Sequence, residues 1–277
     1  MKLNPVLFRE ALLVCAGLSA CAHTSEPGSA QQRLTDPMRS RPIVLLGEVH
    51  DNAEQHALRA QALRALLASG ARPALLMEQF DRERQVDIDK ALAQPGATAN
   101  DVIKAAGAEG TAWAWPPYRP FIAFALEYRL PLIAANVSRA DARRVSQEGL
   151  VATGFDASVP AAIEAHQIET ILASHCDMLN ETQARRMATA QLARDQFMAR
   201  QLSAHAVRGA VLLAGNGQVR NDVGVPTWLP LAVRERSVGI GLSETGESSA
   251  EAYGRDITTA APAARPDPCE GMRRPAS

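Results

Sequence analysis

The chain has 277 residues, 47% of them apolar and 21% charged, with a formal net charge of −1. That length carries one large domain or two small ones, and the near-neutral balance supplies no field for nucleic acid or another strongly charged partner. No uncharged apolar run reaches the ~18 residues that a membrane-spanning helix needs.

The chain opens Met1-Lys2, turns apolar from Ala11 to Ala20, and reaches Cys21 directly after Leu18-Ser19-Ala20. A basic start, an apolar centre and small residues before a cut predict a secretory signal over residues 1–20. The Leu-Ser-Ala-Cys sequence looks like a lipobox, which would make Cys21 the lipidated N-terminus. Acyl chains such as palmitate anchor it, each buried methylene adding ~0.8 kcal/mol. Ala22 is not Asp, so resemblance to lipoprotein sorting rules sends the chain to the outer membrane, facing the periplasm. Residues 21–40 are rich in Ser, Gly, Pro and Gln and predict a flexible tether.

Ile43-Val-Leu-Leu46 is a short apolar run before Gly47 and predicts a buried strand. Leucines at 58, 63, 66 and 67 predict a helix from about Ala53 to Ser69, closed by Gly70. Ala74-Leu-Leu-Met77 is a second strand, Glu83–Ala93 a polar helix, and 97–112 an irregular stretch with one short helix. An apolar helix follows Pro120, then a third strand at Leu132-Ile-Ala-Ala135. Helical segments run from about Pro160 to Ala173 and from Glu181 to His205, the second rich in helix-favouring Ala, Arg, Gln and Met. Ala210–Ala214 is a fourth strand, Pro226–Arg234 a short helix and Ser237–Gly241 a fifth strand. Short apolar strands alternating with helices predict an α/β fold: a mostly parallel sheet, covered on both faces, with a helical insertion or lid between strands three and four. The domain is expected over 41–260, with an irregular tail at 261–277. Removal of Cys15 and acylation of Cys21 leave Cys176 and Cys269, which either pair as a staple on the tail or remain two thiols.

The strand ends carry the chemistry. The first runs into Gly47-Glu48-Val49-His50-Asp51-Asn52, the second into Glu78-Gln79, the third into Asn136 and the fourth into Gly215-Asn216-Gly217-Gln218. In an open parallel sheet these ends share one rim, where ligands bind. Helix capping accounts for Asp51 or Asn52 but not for Glu48, His50 and Glu78. Those three predict a cluster of two carboxylates and one imidazole, suited to a divalent metal or to base chemistry on water. His175 can approach the same edge. His56 reads as a surface or capping histidine. Trp113-Ala-Trp115-Pro-Pro-Tyr118-Arg-Pro120 offers either a rigid flat surface for a planar ligand or a plug for the sheet's end.

Taken together, Gly47–Asn52, Glu78-Gln79, Trp115–Pro120, Ala134–Asn136 and Gly215–Pro226 resemble the ChaN-like haem-binding lipoproteins. His175-Cys176, Ala190-Gln191-x-x-Arg194-Asp195 and Asp267-Pro268-Cys269 fit as well, so the likeness spans about residues 40–271. It implies haem or iron handling at the cell envelope, with haem held between the protomers of a homodimer through a tyrosine, for which Tyr118 is the candidate. It places His50, Glu48, Glu78, Asn136, His175, Asn216, Gln218 and Arg220 around the cofactor, with Arg119, Arg139 and Arg194 as further partners for its propionates. It also implies kinship with Tiki proteases and erythromycin-esterase-like hydrolases, whose activity would map onto Glu48, His50 and Glu78. One departure stands out: that family commonly has Gly-Asn-Gly-His where this chain ends in Gln218. Glutamine neither exchanges protons near neutral pH nor ligates soft metals well. Haem binding is therefore the first expectation, a hydrolase with or without a divalent metal the second, and a non-catalytic interaction lipoprotein the third.

Overall fold

The computed structural model describes residues 29–246, 250–267 and 269–270. The signal and Cys21 lie outside them. The first element is a helix, α1 (Ala30–Ser40), which buries Leu34, Thr35 and Met38 and is capped by Ser29 in a capping box with Gln32. It corrects the tether expected over 21–40: from Ala30 onward that segment is packed structure, because two apolar side chains four residues apart share one helix face.

The elements then run β1 (Ile43–Leu46), α2 (Ala53–Ala68), β2 (Ala74–Asp81), α3 (Gln85–Leu92), α4 (Ala99–Ala105), α5 (Arg119–Tyr128), β3 (Leu132–Asn136), α6 (Arg139–Glu148), α7 (Ala161–Ser174), α8 (Glu181–Ala204), β4 (Ala210–Leu213), α9 (Asn216–Val219), α10 (Leu231–Arg234), β5 (Ser237–Gly241) and β6 (Arg255–Asp256). The six strands form one sheet in the order β3-β2-β4-β1-β5-β6, and every pair is parallel. All four residues of β1 are buried, as a strand covered on both faces requires.

Strand alternation sorts the core into two layers. Val44, Leu46, Leu75 and Met77 face α2 and α5, packing with Leu63, Phe121 and Phe124. Ile43, Leu45, Ala74 and Leu76 face α8, packing with Met198, Ala199 and Leu202. The insertion between β3 and β4 consists of α6, α7 and α8. Of these, α8 lies on the sheet, while a third cluster including Val145, Ile163 and Leu192 joins the three helices to one another. Among the described residues no helix is long and apolar enough to cross a membrane.

Among its described residues the tail carries no helix, yet it is fastened twice. Cys176, just after α7, is disulfide-bonded to Cys269 across 93 positions of chain. Arg265 forms ion pairs with Asp51 and Glu244.

Candidate functional site

Glu48 sits two residues beyond β1 on the α2/α5 side, and its side chain is wholly buried. Its Oε1 accepts the Tyr118 hydroxyl at 2.6 Å and faces His50 Nδ1 at 2.9 Å. Its Oε2 lies 3.1 Å from His56 Nδ1 and forms an ion pair with the Arg59 guanidinium. Four side chains from three segments therefore converge on one carboxylate.

Arg59 is as buried as Glu48 and also donates to the Leu46 carbonyl at 3.1 Å. Burial lowers its pKa to about 10, which leaves it cationic at neutral pH. His56 points Nε2 at the His50 carbonyl, 2.9 Å away; burial lowers its pKa. A neutral ring donating from Nε2 fits that contact. His56 is thus a buried member of the network, in place of the surface or capping histidine expected, because α2 turns it onto the face that carries Arg59 and Leu63.

His50 differs from its neighbours in being half exposed, at 48% of its side chain. Nδ1 is turned to the Glu48 carboxylate, which leaves Nε2 as the ring nitrogen open to a ligand. Its ring meets Trp113 edge-on at 4.9 Å between centroids. On its other flank is Gly215: a Cβ there would lie 3.1 Å from Cε1 and Nε2 of His50, so glycine leaves the ring its space.

Glu78 occupies the opposite, α8 side of the sheet, by the same alternation that places Leu76 there. It accepts the Gly215 amide at 2.9 Å and the Gln218 side-chain amide at 3.2 Å. Gln218 therefore acts as a neutral donor to a carboxylate. Below it is Asp195, fully buried on α8, contacted by the amides of Gln167 and Gln191 at 3.4 and 3.3 Å. Burial raises its pKa well above the ordinary carboxylate value, and the nearby Glu78 pushes the same way.

The expected two-carboxylate, one-imidazole cluster is corrected by this arrangement. Glu48 and Glu78 share the rim but face different layers, and only Glu48 holds the imidazole. Among the described residues no group of three or more His, Cys, Asp or Glu side chains could hold a metal ion. Glu48, with its oxygens already engaged, is poorly placed to take a proton from water.

Tyr118 departs most from expectation. It is 1% exposed, and burial pushes its pKa up to about 12, which disfavours the phenolate that ferric iron needs. Trp115 stacks on Phe80 at 5.2 Å and donates to the Ala108 carbonyl. Both residues plug the sheet's end, while Trp113 stays half-buried at the rim.

The remaining candidates do not converge on His50. His175 caps α7, bonding from Nδ1 to the Ile171 carbonyl. Both ends of the Asn216 side-chain amide bond the Leu242 backbone, and a Cβ on Gly47 would strike that amide. Arg220 pairs with Asp222. Asn136 ends β3 opposite Asp81, with a buried Oδ1 that has no hydrogen-bond partner among the described residues. Sequence reasoning gave Arg59 no role. The readable signal was a charged residue in line with Leu63 and Leu66 on an apolar helix stripe, a position that demands a buried partner.

The family described as "Haem-binding uptake, Tiki superfamily, ChaN" matches residues 34–229. The chain belongs to this ChaN family. Of solved structures, ChaN of Campylobacter jejuni, in a structure of cofacial haem binding, aligns over 84% of this chain and 93% of its own, with a TM-score of 0.69 and 20% identity. An erythromycin esterase in its open conformation aligns over 77% and 72%, with a TM-score of 0.43 and 16% identity. At 20% identity the likeness to the Campylobacter jejuni protein shows the fold alone. No curated protein matches the sequence.

Proposed function

We propose that this ChaN-family chain binds haem at the carboxyl rim of its sheet, with His50 as the iron ligand. The observation that carries this reading is the state of the His50 imidazole: half exposed, with Nδ1 facing a buried carboxylate and Nε2 left open to a ligand. A carboxylate behind a ligating histidine fixes its tautomer and raises its basicity, and a histidine is a common axial ligand of haem iron. Trp113 beside it offers an aromatic edge to a flat apolar ring. Family membership supports haem as the ligand; the burial of Tyr118 argues against it as the ligand residue.

In the same reading, Cys21 is acylated and tethers the domain to the outer membrane on its periplasmic side. There the chain takes part in haem or iron acquisition as a homodimer. The Leu18-Ser19-Ala20-Cys21 sequence supports the anchor, and a disulfide between Cys176 and Cys269 suits an oxidising compartment. Labelled palmitate should enter the wild-type chain and not Cys21→Ala.

Titration of the full chain with hemin tests the binding itself. A saturable Soret band is expected, with loss of saturation in His50→Ala. A featureless titration, or one that His50→Ala leaves unchanged, would contradict the assignment.

A further inference from the structure

A second polar site lies away from His50. Between α6 and α8 is a cavity of about 330 Å³ whose walls include Arg139, Arg143, Arg186 and Arg194, with Met187 and Ala190 among its apolar lining. Two arginines elsewhere on these helices meet carboxylates: Arg144 lies near Asp141 and Glu148, and Arg185 pairs with Glu164 and Glu181, while Arg200 donates to the Gly154 carbonyl. Arg82 takes Asp141 as well. None of the four cavity arginines forms an ion pair among the described residues. Among the described residues Arg194 donates only to Gln191 at 3.3 Å and its buried Nε has no hydrogen-bond partner, although its charge is felt by Asp81. Asp195 beside it turns its carboxyl group to the Gln167 and Gln191 amides and forms no ion pair with an arginine among the described residues.

Four guanidiniums around one cavity concentrate more positive charge than a single carboxylate can satisfy. A phosphate group carries up to two negative charges on three oxygens and matches the guanidinium fork. The apolar part of the lining suits an organic body attached to that phosphate. The site is separate from the haem site proposed above, since β4 and β2 lie between β1, which carries His50, and β3, which leads into α6. At the usual spacing of neighbouring strands that is a separation of roughly 14 Å.

We infer that the arginine-walled cavity between α6 and α8 binds an organic phosphate, either a soluble phosphorylated molecule or a phospholipid headgroup.

Calorimetric titration of the full chain with inorganic pyrophosphate tests this. Saturable binding is expected, weakened by added salt and at least tenfold weaker in the Arg143→Ala/Arg186→Ala variant. Both side chains are exposed, so the fold should be kept. Arg144→Ala removes one positive charge outside the cavity and should bind as wild type. No saturation, or equal weakening in all variants, would overturn the proposal. Two further arms name the source. Sedimentation with phosphatidic acid vesicles, lost in the double variant, assigns the phosphate to a lipid headgroup. Pyrophosphate binding without vesicle capture assigns it to a soluble molecule. Hemin titration of the double variant should match wild type; weakened hemin binding with no pyrophosphate binding would make the cavity a propionate site and sink the proposal.

Discussion

The two halves of the rim handle a buried carboxyl group in opposite ways. Beyond β1, Glu48 is matched by a buried cation, a phenol and the His50 imidazole. Over β2, Asp195 meets two amides and the repulsion of Glu78, and burial favours its proton. What separates them is the cation: α2 delivers Arg59 into the first network, while the guanidinium of Arg194, next in sequence to Asp195, lines an outward cavity. One half is thereby a charged support for an exposed histidine, and the other turns its carboxyl groups to amides, with arginines on its outer side.

Breaking the first half should have the largest effect. Arg59→Ala leaves Glu48 buried without its cation and should cost ~3–5 kcal/mol in urea denaturation. Pairing Arg59→Met with Glu48→Leu should recover most of that loss, because a well-packed apolar pair can replace a buried ion pair. Tyr118→Phe removes one hydrogen bond to the carboxylate and should cost ~1.5–3 kcal/mol.

Smaller effects come from titration, and their signs oppose. The folded pKa of His56 is lowered by burial, so its contribution is complete above the unfolded value of 6.5 and is lost as pH falls toward the folded one. The folded pKa of Asp195 is raised, so its contribution is complete below 3.8 and is lost as pH rises through the folded value. Stability measured against pH should have a shallower acid-side slope below 6.5 in His56→Gln, with half-buried His205 supplying the remainder. Its decline above 3.8 should be shallower in Asp195→Asn, with Asp81 and Glu83 supplying the remainder. An Asp195→Asn profile that declines as steeply as wild type would place the protonated group elsewhere.

The sheet was legible because its strands are continuous apolar runs, as in Ile43–Leu46 and Ala210–Leu213, with few ways to be anything else. Helix α6 was not: its sequence is polar, only Ala142 and Val145 are buried, and no apolar stripe marks it. In α1, Pro37 and a polar composition hid the pairing of Leu34 with Met38. Strand β6 has two residues at the sheet's edge, too few for a period. Glu48, His50 and Gln218 could be placed at the rim because each follows a strand, and Glu78 because the apolar run before it stops at Met77, although β2 itself continues to Asp81. What each would touch could not, since that depends on strand alternation and on helix faces set by tertiary packing. Tyr118 shows the consequence: its motif was readable, but its burial beneath Trp113 and beside His56 was not.

The measurement closest to the central claim is resonance Raman spectroscopy of the ferric hemin complex of the full chain. Imidazole ligation by His50 gives no phenolate-to-iron modes in wild type, and the spectrum of Tyr118→Phe is the same. Phenolate modes in wild type that vanish in Tyr118→Phe would show that the iron takes the tyrosine, and that the rim described here must open to let it.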